Sequence, residues 1–392
     1  MERIIPSFFD TDFYKITMAQ MVWRLYPDVW VRYRFFNRGR HPFPKGFEDS
    51  LRQQVEQMAA LVPEKEIISW LQERYDFLAP DFLSWIATVR FDPSQVRIGS
   101  DGNGLWVEIE GPWLTSIFWE TPLMATITEL RNRMLGLKPQ EGYRGKAYLK
   151  WEFFQENGVN VAEFGARRRS SLEVHQNVLR AGLPFVQTDE RNGLVGTSDV
   201  YLAHRFNLRP IGTIAHEVFM VMAALFGYSL ANQKGLESWV RVYGQRLGIA
   251  LPDTYTTDVF LRQFDSQLAR HFDGLRQDSG NPFEFVDKVV NHYRSLGIDP
   301  LTKTVVFSDS LDPPKAVEIA SYCRGKIKCS FGIGTNLTND VGHPAPNWVI
   351  KVVAVKVGAL WIPTVKLSDD SGKITTYEMA EVERARKELG LM

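Results

Sequence analysis

A histidine and a glutamate follow directly on an apolar run in GTIAHEVF, residues 212–219. Imidazole titrates near neutral pH, so His216 can act as nucleophile or general acid/base, with Glu217 beside it to orient the ring. A capping or core histidine is the bland alternative. In LRQDSGNP (275–282), Arg276 and Asp278 are two positions apart on a strand-like run and share one side of it. Such a pair either closes on itself as an ion pair at a turn, or holds a phosphate through the arginine while the aspartate takes a hydroxyl or magnesium. SFGIGT (330–335) sets Gly332 and Gly334 before Thr335, and backbone amides in that arrangement can cradle an anion. The preceding apolar run ends in Ser308-Asp309-Ser310. In EFGARRRS, Phe164 precedes a basic run that begins at Arg167, and Phe164 is either core or a stacking platform for an aromatic ligand. Tyr14, in TDFYKITM, has the same two readings. HExxH, GxSxG and GxxxxGK[ST] do not occur, which removes metalloprotease, hydrolase-elbow and Walker-type readings.

Residues 10–26 read as a helix opened by Asp10 or Asp12 as cap. Val31, Tyr33 and Phe35 alternate with Arg32 and Arg34, which is strand periodicity. Helical segments fill 46–90, a hairpin turns at Asp101-Gly102-Asn103-Gly104, and another helix covers 119–135. From about residue 160, short apolar strands end in small and polar residues and helices follow. The ends are VAEFGAR (161–167), GTSD (196–199), IGTIAHE (211–217), ALPDTY (250–255), FDGLRQDSG (272–280), TVVFSDS (304–310) and IKCSFGIGT (327–335). Helices are expected at 214–229, 281–296 and 313–323. Chemistry at the C-terminal end of strand after strand is the layout of a βα barrel, converging on one rim. The expected fold is therefore α/β: an irregular, TIM-like barrel over 151–345, an N-terminal α+β domain over 1–150, and C-terminal strands and a helix over 346–392 returning to it.

Composition narrows the partners. The 392 residues carry 46 basic and 46 acidic side chains, so no net field favours nucleic acid. The two cysteines, Cys323 and Cys329, exclude a disulfide framework and a cysteine-built zinc site. No apolar run is long enough for a signal peptide or a membrane span, and a cytoplasmic protein is the expectation.

The ordered set TDFYKITMAQ, FFNRGR, EFGARRRS, GTSDVYLA, GTIAHE, DTYTTD, RQDSGNP, FSDSLD and FGIGTNLTND resembles the nicotinate phosphoribosyltransferase family over nearly the whole chain. The resemblance implies an irregular seven-stranded barrel related to the type II phosphoribosyltransferases, with a sandwich domain from N- and C-terminal parts. It implies a reaction: nicotinate and phosphoribosyl pyrophosphate give nicotinate mononucleotide and pyrophosphate while ATP is hydrolysed, the first step of NAD salvage from nicotinate. Carried over by position, His216 matches the histidine that ATP phosphorylates, and Arg276 and Asp278 match residues holding the phosphoribosyl part. Phe164 and Tyr14 match the aromatic pair around the pyridine ring, with Tyr14 crossing from a second subunit of a homodimer. Arg167 matches a base- and phosphate-contacting arginine. Ser308, Asp309, Gly332, Gly334 and Thr335 match the 5′-phosphate cradle, and Asp253 a carboxylate near ATP or magnesium. Magnesium is expected mainly on pyrophosphate, with Asp253 or Asp278 within its reach, and not at a fixed protein site.

Substrate choice is read at Ser198 of GTSD. Related nicotinamide enzymes resemble this chain but carry an aspartate there, which would repel a carboxylate, whereas serine can donate to one. A one-position shift in register would put Asp199 there and reverse the reading. The rivals are a nicotinamide phosphoribosyltransferase, a phosphosugar lyase or isomerase on a barrel, and an inactive binder of phosphoribosyl pyrophosphate.

Overall fold

The structure, a computed structural model, describes residues 2–101, 104–374 and 378–392. Helix Phe13–Leu25 is buried without interruption from Phe13 to Val22. Asp12 stands at its N-cap position, but its side chain makes no capping bond; the expected aspartate cap fails because that carboxylate is engaged elsewhere, as shown below. Strands β1 (Trp30–Asn37), β2 (Val96–Asp101) and β3 (Gly104–Pro112) are antiparallel, with β3 pairing on both sides. The Gly102-Asn103 turn expected between β2 and β3 lies outside the described residues. Val31, Tyr33 and Phe35 are buried, while Arg32 pairs with Glu110 at 2.6 Å, as the alternation demands. Helices Phe47–Met58, Lys65–Arg74, Pro80–Ile86 and Glu120–Met134 complete the N-terminal part.

The chain divides into two compact units. One comprises Met1–Gly212 and Ile333–Lys351, the other Thr213–Gly332 and Val352–Met392. The first holds β1–β3 and a parallel pair, β4 (Val161–Glu163) with β5 (Leu194–Thr197). In the second, β6 (Ile249–Ala250), β7 (Gly274–Gln277), β8 (Thr304–Phe307) and β9 (Lys328–Ile333) run parallel in that order. Helix Pro282–Ser295 returns from β7, with Pro282 at its first position and Asn281 accepting from Phe283 N–H at 2.9 Å. Helix Pro313–Cys323 returns from β8 in the same way, capped by Asp312.

The architecture is mixed α/β, with parallel and antiparallel strands. One expected strand does not form. Residues 208–215 make a single bridge, Thr197↔Pro210, closed by Thr197 N–H to Arg209 O and Ile211 N–H to Thr197 O, and on its other side Pro210 has no N–H to offer a second strand. The strand pairings among the described residues therefore do not close the expected seven-stranded barrel. In the tail, β10 (Trp348–Val357) and β11 (Leu360–Pro363) form a hairpin paired from Ala354↔Pro363 to Val357↔Leu360. The last helix, Met379–Glu388, is tied to helix Tyr228–Tyr243 by a hydrogen bond from Tyr228 Oη to Glu381 Oε1. No described helix is long and apolar enough to cross a membrane.

The register of β6–β9 aligns the strand ends. Ala250 lies opposite Leu275, Gln277 opposite Phe307, and Phe307 opposite Phe331. The residues that follow β6, β7 and β8, namely Asp253, Asp278 and Ser308, thus leave the sheet at one end, beside Gly332 near the end of β9. That register needs Gly274, which pairs with Ile249 on one side and Thr304 on the other. A Cβ there would sit 1.8 Å from the Thr304 carbonyl oxygen, a backbone atom that cannot move without breaking the ladder. Gly274→Ala is expected to destabilise the protein by about 3 kcal/mol, measured as a lowered urea midpoint; an unchanged midpoint would show that the strands can separate at no cost.

Candidate active site

In the second unit, His216 is the first residue of helix His216–Phe226, and it is buried. Its Nδ1 lies 2.9 Å from Thr254 Oγ1, just after β6, and its Nε2 lies 2.9 Å from Asp278 Oδ2, just after β7. Lys366 Nζ is 3.0 Å from the same Nε2 and donates to Asp253 Oδ2 at 3.2 Å. Ser279 Oγ donates to that oxygen at 2.6 Å. The other oxygen, Asp253 Oδ1, has no hydrogen-bond partner and faces His216 Nε2 at 3.7 Å. Nε2 cannot donate to Asp278 and accept from Lys366 at once. The aspartate and the lysine therefore compete for it, and each holds one tautomer of the neutral ring.

The cluster opens outward from there. Asp278 and Arg276 are half-buried, and Asp278 Oδ1 accepts from Ser308 Oγ at 2.7 Å. Arg276 Nε has no acceptor. Asp309 is ion-paired with Lys373, whose ammonium also donates to the Asp278 carbonyl at 3.3 Å. Gly332 is buried near the end of β9. The sequence-predicted His216, Asp253, Asp278, Ser308 and Asp309 are thus joined in one network, with Arg276 acting on it by charge. Burial would raise the Asp278 carboxyl, but the His216 hydrogen bond and the Arg276 charge outweigh it and hold the group well below the usual carboxylate range. Burial would likewise raise Asp253, and Lys366 turns that shift downward. For His216, burial and then the Lys366 charge push the imidazole down to about 4, against the pull of Asp253 and Asp278.

His216, Asp253 and Asp278 offer one nitrogen and two oxygens within 4.8 Å of one another. This set does not fit a resident magnesium ion. Magnesium prefers an all-oxygen octahedron with several waters, and here a lysine ammonium already lies against two of the three groups.

The first unit holds the remaining predicted residues. Tyr14 is buried under Arg167, whose guanidinium carbon is 5.7 Å from the ring centroid. Arg167 also faces Asp12 at 3.5 Å and Glu120 at 3.6 Å, and Glu120 is held by Lys15 at 2.6 Å. Ser198 Oγ donates to Asp12 Oδ1 at 2.5 Å and Thr121 Oγ1 donates to Asp12 Oδ2 at 2.9 Å. These two bonds take the carboxylate that would otherwise cap the first helix. Phe164 is half-buried and is not among the fully buried core residues. Its N–H donates to Ile333 O at 2.9 Å, and Gly334 packs so closely that a Cβ would meet the Phe164 carbonyl oxygen at 2.7 Å. Thr335 opens the one-turn helix Thr335–Thr338. Asp199 faces inward, where its Oδ1 accepts from Leu202 N–H at 2.8 Å. Ser198 and Asp199 are therefore turned to different duties by strand-like alternation.

Sequence reasoning missed Thr254, Ser279, Lys366 and Lys373 in the second unit, and Asp12 and Glu120 as partners of Arg167 in the first. Lys366 and Lys373 flank LSDDSG after an apolar run, the same texture as the strand ends read earlier, and that was the available signal. Glu163 was also missed. Buried at the end of β4, it bonds His175 Nε2 at 2.6 Å, Thr197 Oγ1 at 2.6 Å and the Gly165 N–H, and so fixes the backbone beside Phe164.

Two family descriptions match the chain: the nicotinate phosphoribosyltransferase (NAPRTase) family over residues 159–391 and its N-terminal domain over residues 9–128. A nicotinate phosphoribosyltransferase of Desulforapulum autotrophicum is 44% identical over 95% of this chain and 96% of its own. One from Chromohalobacter salexigens is 42% identical over 99% of each chain. The crystal structure of nicotinate phosphoribosyltransferase from Porphyromonas gingivalis superposes with a TM-score of 0.95 at 39% identity, covering 99% of this chain and 100% of that one. The chain is an enzyme and belongs to the nicotinate phosphoribosyltransferase family.

Proposed function

We propose that this member transfers the phosphoribosyl group of phosphoribosyl pyrophosphate to the ring nitrogen of nicotinate, and hydrolyses ATP by way of a phosphoryl group on His216. The observation that carries the second half is the setting of His216. A nucleophilic imidazole must keep a lone pair, and burial beside Lys366 keeps this ring neutral at physiological pH. Phosphorylation would add about two negative charges, and Lys366 stands at 3.0 Å to meet them. Arg276, Asp278, Ser308, Asp309 and Gly332 serve the phosphoribosyl part, with Asp253 on the ATP side. Magnesium arrives with pyrophosphate as part of the substrate. Loss of pyrophosphate leaves an oxocarbenium-like ribose, so positioning and charge stabilisation supply most of the rate, and no strong nucleophile is needed for that step.

Tyr14 and Phe164 frame the pyridine ring in this reading, and Gly334 and Thr335 join the 5′-phosphate cradle. The guanidinium of Arg167 favours a substrate carboxylate, and Ser198 stands beside it without adding a negative charge. The βα units form the family's irregular barrel, the extended segment 208–215 standing in for a strand. The enzyme works in the cytoplasm as a homodimer. Tyr14 at the dimer interface belongs to the same proposal, although within one chain it is already buried against Arg167.

Incubation with γ-labelled ATP is expected to leave an acid-labile label on the protein and none on His216→Ala, which also loses ATP hydrolysis while keeping slow nucleotide synthesis. A barrel lyase would take up no label. In steady-state assays nicotinate is expected to exceed nicotinamide in kcat/KM by about 100-fold or more; preference for nicotinamide would defeat the reading of Ser198 and Arg167. The neutral ring has its own signature. His216 is expected to show no NMR titration above about pH 5, whereas an inflection near its ordinary 6.5 would remove the argument from burial. Because the unfolded chain takes up this proton near 6.5 and the folded one only near about 4, stability is lost as the pH is lowered through that window, by roughly 3 kcal/mol from this group.

A further inference from the structure

Lys366 is a buried lysine at the centre of a donor set that could bind metal. Its ammonium lies 3.0 Å from His216 Nε2 and 3.2 Å from Asp253 Oδ2, and Asp278 Oδ2 approaches the same Nε2 at 2.9 Å. The segment that carries it is pinned on both sides. Thr364 Oγ1 donates to Met220 O at 2.8 Å, and Leu367 N–H donates to Thr254 O at 2.9 Å. Two residues further on, Asp369 accepts from Thr257 N–H at 2.7 Å, and its own N–H donates to Ser279 Oγ at 3.2 Å. The backbone therefore fixes where the ammonium sits, and it sits on the groups that a metal would use.

An imidazole and two carboxylates this close together suit zinc, cobalt or manganese better than magnesium. A transition-metal ion bound there would occupy a histidine nitrogen. We propose that Lys366 is the resident cation of the His216–Asp253–Asp278 cluster, occupying the place of a transition metal and keeping the histidine nitrogen free of one. It is a positioning residue, acting on the reaction through His216. The metal-excluding role rests on geometry alone; its catalytic consequence rests on the reading of His216 as the phosphoryl acceptor.

Cobalt(II) is the probe, since its visible absorption reports nitrogen and oxygen ligation directly. The intact wild-type enzyme is expected to bind no cobalt tightly. Lys366→Met is expected to gain one site per chain, at least about 100-fold tighter than any in the wild type, with new visible bands. Adding His216→Ala should abolish it. Lys366→Met is expected to lower kcat, and Lys366→Arg, which keeps the charge, should behave as wild type toward cobalt and recover part of that loss. Zinc should inhibit Lys366→Met and a chelator should restore it, with no such cycle in the wild type. Tight cobalt binding at His216 in the wild type overturns the proposal without any variant. So does a folded Lys366→Met, or Lys366→Gln where the methionine variant does not fold, that binds none. Failure of ATP to label His216 would sink the phosphohistidine reading and leave the cobalt result unaffected, so the two failures are separable.

Discussion

Backbone hydrogen bonds between β6, β7, β8 and β9 decide where four strands stop, and the chemistry of the second unit hangs from that alignment. Ala250 opposite Leu275 brings Asp253 and Asp278 out together; Gln277 opposite Phe307 does the same for Asp278 and Ser308. A shift of one residue would turn every side chain to the other face of the sheet. It would send Arg276 inward and lift Asp278 away from His216. Gly274 guards this register because only a residue without Cβ lets the Thr304 carbonyl approach from the neighbouring strand. The rigid part of the site is thus backbone, and the side chains inherit its precision.

At that end the charges are arranged from buried to open. His216, Asp253 and Lys366 are buried, whereas Arg276, Asp278, Ser308 and Asp309 are partly exposed. Buried charges are tolerated only when paired, since removing one partner leaves the other uncompensated at a cost of about 3–5 kcal/mol. Lys366 meets that condition for Asp253, and Arg276 supports Asp278 from the open side. The first unit solves a similar problem with a different result. Arg169 is fully buried and bidentate to Asp10 at 2.5 and 2.6 Å, with Asp199 at 3.8 Å. Asp10 is held below its usual range despite burial, which acts to raise it, because Arg169 outweighs that effect; Asp199 is raised by burial and by Asp10. That triad has no opening to solvent and is structural, whereas the His216 cluster reaches solvent through the half-buried Asp278.

Much of this was legible from local pattern. Local pattern located Phe13–Leu25, Pro282–Ser295 and Pro313–Cys323 to within a few residues, because each follows an aspartate or asparagine start signal and the last two also have an apolar face. The strand ends were readable because small and polar residues follow short apolar runs. What pattern could not supply was the partner set. Thr254 and Ser279 lie inside motifs, and Lys366 beside a strand-end texture, yet their role as partners of His216 and Asp253 exists only because separate turns of one unit meet. The missing strand at 208–215 is the opposite case, where apolar content suggested a ladder and one proline removed the donor that a second neighbouring strand requires. The failed cap at Asp12 has a tertiary cause as well. Two hydroxyls, from Ser198 and Thr121, offer that carboxylate better partners than the N–H groups of its own helix.

That diversion bears on how a pyridine carboxylate could be recognised. Ser198 was read as a donor to the substrate, yet its proton points to Asp12, so the hydroxyl acts first by fixing a carboxylate. Fixing Asp12 in turn sets one side of Arg167, and Glu120, pinned by Lys15, sets the other. Burial would raise Glu120, but Lys15 leads the neighbouring cations that hold it at about 2, so it is ionised at neutral pH. An arginine between two fixed carboxylates keeps its charge oriented. If Arg167 meets the substrate as proposed, discrimination between an acid and an amide depends less on the serine hydroxyl than on the orientation that Asp12 and Glu120 give that guanidinium. An aspartate at position 198 would act through the same route, by crowding Asp12 and drawing Arg167 away from the ligand.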